Sequence, residues 1–122
     1  MKKYIFKIFV ISYLLVSCSI NPASGQWENI NIDKENNRVT TIINIVQTDN
    51  SFTGKVTTKK EKDNKIIEES QIDISGYVSG NILVIENVSQ INSSKLKKST
   101  LTLSSDKKSL TLSPGSIVFN KK

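Results

Sequence analysis

Histidine is absent from these 122 residues, and there is one cysteine, one tryptophan, two prolines and five glycines. Without an imidazole the chain cannot assemble a Ser-His-Asp or Cys-His nucleophile or a His-rich metal site, so catalysis of those kinds is excluded from within it. A single cysteine, Cys18, allows no intramolecular disulfide, and the core must hold the fold unaided. The glycines are scattered at 25, 54, 76, 80 and 115, which leaves no glycine-rich phosphate cradle. No apolar run reaches the ~20 residues that a membrane-crossing helix needs. The reading is of a chain that is not an enzyme and needs no cofactor or metal.

The longest apolar stretch, Ile8 to Val16, follows a basic start (Lys2, Lys3, Lys7) and has Ser12 inside it. That layout is expected of a secretion signal over residues 1–17. Its end, Leu15-Val16-Ser17-Cys18, resembles the bacterial lipobox, in which an apolar residue and two small or apolar ones precede an obligatory cysteine. The resemblance implies cleavage before Cys18 and acylation of its sulfur, which would anchor the protein to a membrane of the cell envelope. Ser19 behind it, rather than Asp, implies the outer membrane where the cell has one. Without acylation, Cys18 would be the free thiol of a soluble secreted chain or a buried cytosolic one.

Removing residues 1–17 takes three of the 17 cations and none of the 11 anions, leaving 14 against 11, or +3. The paired lysines Lys59-Lys60, Lys97-Lys98 and Lys107-Lys108 have no interleaved aromatics and read as solvated turn residues, so no nucleic-acid partner is expected. Glu68 and Glu69 are adjacent and would face opposite sides of a strand, which prevents a cooperating carboxyl pair. Asp49-Asn50 and Asp63-Asn64 lack the alternating acids of a calcium loop and are expected to be turns.

From Cys18 onward there are 14 Ile, 7 Val and 9 Thr but one Ala, a balance that favours extended backbone. Alternation recurs throughout, punctuated by Asn, Asp, Ser and Gly, and the chain is expected to be all-β. Three hairpins fix testable registers. A two-residue loop at Asp49-Asn50 sets Gln47 against Phe52, Ile45 against Gly54, Ile43 against Val56 and Thr41 against Thr58. A loop at Gly80-Asn81 sets Val78 against Leu83, Gly76 against Ile85 and Tyr77 against Val84. The repeated Leu-Thr-Leu motif sets Leu103 against Leu110 and Leu101 against Leu112, a cross-strand leucine ladder. Lys59–Lys65 is expected to be a charged loop.

These readings predict about eight antiparallel strands in a meander: 27–32, 38–47, 52–59, 66–78, 82–89, 95–104, 109–113 and 116–120. One apolar face then closes into a small barrel, with a β-sandwich as the alternative. Residues 18–26 are expected to form a lipidated start and tether, and 27–122 the barrel. Its inward positions, among them Ile43, Phe52, Val56, Ile72, Leu83 and Leu101, are bulky enough to fill the interior.

Gly25-Gln26-Trp27 resembles the Gly-x-Trp motif with which lipocalins begin, and the later turns are similar in layout to small lipocalin-like bacterial lipoproteins. The resemblance implies a barrel that binds something, with Trp27 plugging its closed end. The chain departs from that family in its short length, in lacking a disulfide, a second motif and a terminal helix, and in having one arginine, Arg38, too early to pack over Trp27. An ordinary core tryptophan in an unrelated β-domain fits Trp27 as well.

Two binding features stand out besides Trp27. Gln47 falls on the apolar face near a strand end, either as a ligand-reading group at a barrel mouth or as a solvent-capped end. Tyr77, Ile82 and Val84 form an apolar strip on the outer face, to be covered by the chain itself or by a partner. Two functions lead: an anchored barrel that holds a small apolar molecule or envelope component, and an inhibitor or immunity-type lipoprotein that blocks an envelope protein; a purely structural envelope role is third. Oligomeric state is not legible.

Overall fold

Side chains that alternate in polarity stabilise extended backbone only when one face can be buried, and here eight such segments bury theirs against one another. The computed structural model describes residues 21–89 and 97–122. The strands are β1 (Gly25–Ile32), β2 (Arg38–Thr48), β3 (Ser51–Lys62), β4 (Lys65–Ser79), β5 (Ile82–Val88), β6 (Thr100–Leu103), β7 (Ser109–Ser113) and β8 (Ile117–Lys121). Each pairs antiparallel with the next, and β8 returns to β1 through Trp27 with Lys121 and Glu28 with Asn120. The sheet is a closed barrel, not a sandwich.

The three hairpin registers hold as expected from the sequence, including Ile43 against Val56, Tyr77 against Val84 and Leu101 against Leu112. Asp49 and Gly80 take positive φ at the first position of their two-residue loops, as twist-matched hairpin turns require. Past Gly76 the β4–β5 register slips at a bulge. Gly76 is required there, because a Cβ at that position would collide with the Val84 carbonyl.

Three expectations are corrected. The segment 59–65 is not a loop: β3 runs to Lys62, β4 starts at Lys65, and only Asp63 and Asn64 turn, both at positive φ. That two-residue turn continues the hairpin ladder, which a longer charged loop would have broken. The sixth strand begins at Thr100 rather than 95. Residues 97–99 are outside it, although Ser99 O and Lys98 N already bond to the Ile85 backbone. The expected signal (1–17), the acylated Cys18, Ser19 and the first two residues of the expected sixth strand, 95 and 96, lie outside the described residues.

The third correction concerns the interior, which is filled only at one end. Around the start of β1, Trp27, Phe52, Leu83, Leu103 and Leu110 are buried in one cluster that continues to Ile43, Ile74, Ile85, Leu101 and Phe119. Beyond those residues the inward side chains stop meeting across the barrel. The walls differ in length: β2, β3 and β4 have 11, 12 and 15 residues, whereas β6, β7 and β8 have 4, 5 and 5, so one side overhangs the other.

Candidate functional site

The unfilled end is a cup of about 400 Å³ sunk into the barrel from the side of the β1–β2 and β3–β4 turns. Its floor is the top of the core, Ile43, Ile74, Ile85, Leu101 and Phe119, and its apolar wall adds Val56, Ile72 and Leu112. Higher up, the inward positions of β1 to β4 carry Asn29, Asn31, Thr41, Thr58 and Ser70. Thr41 faces Thr58, which faces Ser70, and Thr41 also faces Asn29, so these polar groups form a band across neighbouring strands. Short hydroxyl and amide side chains cannot reach across a barrel of this width, which is why the cup stays open.

An apolar floor below an uncharged polar band suits a molecule with an apolar body and a neutral polar head, and the volume lies within the range of small-molecule sites. Asn29 has one committed bond, its Nδ2 donating to Val118 O at 2.9 Å where β1 and β8 part. Farther out, Lys60 Nζ meets Asp33 Oδ2 at 3.1 Å. Backbone N–H donation from Asn37 (2.8 Å) foremost, with Lys60 and the Glu35 N–H, holds the Asp33 carboxyl below its ordinary range, and Asp33 in turn raises Lys60. The pair is half-buried at the rim, where solvent still screens it, and it fixes the β1–β2 turn against β3 rather than adding much stability. Among the described residues no group of three or more His, Cys, Asp or Glu could hold a metal ion.

The residues singled out from the sequence fall into two clusters, neither of which lines the cup. Trp27 is fully buried at the opposite, closed end, with its Nε1 donating to Ala23 O at 2.9 Å and Lys121 Nζ 5.5 Å from its ring centre. Gln47 sits beside it at that closed end rather than at a mouth. Its Oε1 accepts from Ala23 N (3.0 Å) and its Nε2 donates to Asp49 O (3.0 Å). The Oε1 bond thus helps fold residues 21–24, expected to be a tether, across the barrel bottom, while the Nε2 bond closes the β2–β3 turn. Ala23 is buried there, and β1 begins at Gly25, two residues earlier than expected.

Tyr77, Ile82 and Val84 come together on the outer wall as expected. Tyr77 and Ile82 are 44% and 38% exposed, so the strip remains largely open to solvent, with Val84 half-buried between them. A dent of about 300 Å³ separates Tyr77 and Val84 from Lys97 and Lys98.

The cup residues were missed as a set. The signal that could have found them was in the register: Thr41 and Thr58 were already paired on the inward face, and Asn29 and Asn31 share the parity of Trp27. Polar groups at consecutive inward positions mark where a barrel is not filled. No protein-family model, no curated protein and no solved structure matches this chain significantly.

Proposed function

We propose that this chain is an envelope lipoprotein, acylated at Cys18, whose barrel is a non-catalytic binding module for a small apolar molecule or envelope component. The observation that carries the binding reading is the cup, with its apolar floor under an uncharged polar band. The lack of any histidine favours binding over catalysis. The anchor and outer-membrane location rest on Leu15-Val16-Ser17-Cys18 and Ser19. Kinship with lipocalins is supported by Trp27 at the closed end, where Lys121 supplies the cation over the ring that an arginine supplies in that family.

The test is titration of the protein with N-phenyl-1-naphthylamine, a neutral apolar dye that brightens on leaving water. Saturable one-to-one brightening is expected, and Ile72→Phe, which narrows the cup at its apolar wall, weakens it about tenfold, the low end of the 1–3 kcal/mol that one misfitted apolar group is worth. A dye that stays dark in the wild-type protein sinks the small-molecule reading. The second reading, capture of an envelope protein, draws on the exposed Tyr77 and Ile82 strip. If a Tyr77→Asp and Val84→Asp double variant still crosslinks to every envelope partner, that reading is removed.

A further inference from the structure

The chain that precedes Asn21 joins the barrel at its closed end, and residues 21–24 have no slack. Asp49 N donates to Asn21 Oδ1 (3.0 Å), Gln47 N to Ser24 Oγ (2.8 Å), Ala23 N to Gln47 Oε1 (3.0 Å), and the buried indole of Trp27 to Ala23 O (2.9 Å). If Cys18 carries the lipid, only the chain from Cys18 to Asn21 links membrane to barrel, which spans at most about 11 Å fully extended. The cup opens at the other end of the strands. For β2, with 11 residues, a rise of ~3.3 Å per residue and a tilt near 40° put about 28 Å between the two ends. A leash of that length cannot bring the mouth down onto the membrane that holds it.

Charge does not oppose this placement. The closed end collects Lys107 and Lys108 from the β6–β7 loop and Lys121 and Lys122 from the end of β8, held together by Lys121 N donating to Lys108 O (2.9 Å) and Lys122 N to Gln26 O (2.9 Å). Against these four stand three carboxylates, Glu28, Asp49 and Asp106. Glu28 is paired with Lys122 at 3.3 Å, and Asp106 accepts from Ser104 Oγ and Lys108 N. The lip segments 33–38 and 59–69 carry six basic and six acidic side chains and are neutral.

We propose that in the anchored protein the closed end rests on phospholipid headgroups and the cup opens away from that membrane, so that ligand arrives from the aqueous side. This rests on acylation at Cys18. Cys18 is the only cysteine in the chain, and acylation consumes its sulfur, so an engineered cysteine labels uniquely. Lys108→Cys (closed end), Lys55→Cys (wall) and Lys65→Cys (lip) are each labelled in the full acylated protein. The proteins are then reconstituted in phosphatidylethanolamine–phosphatidylglycerol vesicles that carry a headgroup energy acceptor.

Quenching is expected to fall in the order 108, 55, 65, with a several-fold difference between the extremes. Ser105→Cys and Glu69→Cys repeat the comparison should either extreme variant misfold. Equal quenching at both ends, or stronger quenching at the lip, overturns the orientation while vesicle flotation shows that the anchor holds. A protein that does not float with the vesicles overturns the anchor and the orientation together.

Discussion

One barrel holds two halves that follow the same pairing rules and end differently. In the closed half the inward positions are Trp27, Ile45, Phe52, Val78, Leu83, Leu103 and Leu110, all buried and packed on one another. In the open half the same strands turn Asn29, Asn31, Thr41, Thr58 and Ser70 inward, and the interior becomes a cup of about 400 Å³. Regular hydrogen bonding and an apolar face therefore do not make a barrel solid. Solidity requires side chains long enough to meet across it, and strands on both sides that reach the same height. Here β6 to β8 stop where the core stops, while β2 to β4 run on and carry a polar inner face beyond it.

The contrast makes stability and ligand binding separable by position. Trp27→Ala, in the closed half, has the largest expected effect: about 3–5 kcal/mol lost in denaturant unfolding, from the cavity left and the forfeited bond to Ala23. Gln47→Leu comes next. It leaves Ala23 N–H and the Asp49 carbonyl without their partners and should cost about 1–3 kcal/mol, with faster amide exchange at Ala23 as the local signature. Ile72→Phe, in the open half, should change stability by less than about 1 kcal/mol because empty space receives the ring, although it weakens dye binding. If Ile72→Phe destabilises as much as Trp27→Ala, the two halves are not distinct.

The smallest effect is at the lip. Hydrogen bonding, from the Asn37 backbone N–H foremost, holds the folded Asp33 carboxyl below its ordinary range. Its contribution is therefore complete above the unfolded pKa and is lost as pH falls through the folded one. Denaturation midpoints of the wild type and Asp33→Asn measured downward from pH 5 should converge below pH 4, the variant showing the shallower acid slope. A parallel pair of curves would mean that the turn does not depend on that carboxylate.

Much of the fold was legible because strand parity and turn chemistry are local. Asp49-Asn50, Gly80-Asn81 and the two Leu-Thr-Leu arms fix registers without reference to the rest of the chain, and all three pairings hold. The outer strip of Tyr77, Ile82 and Val84 was legible for the same reason. The extension of β3 and β4 to Lys62 and Lys65 was hidden by charge, since Lys59 to Lys65 looks solvated whether it forms a ladder or a loop. The cup was hidden because an inward Thr or Asn reads as a solvent-facing residue until barrel closure decides which face is inside.

Composition and alternation by themselves determined an all-β meander with one apolar face and its hairpin registers, because side-chain direction alternates with fixed period along any strand. Tertiary structure alone decided that the sheet closes, that residues 21–24 fold across one end, and that the other end stays hollow. Those outcomes depend on strands far apart in sequence, whose unequal lengths and summed side-chain volumes no local pattern records.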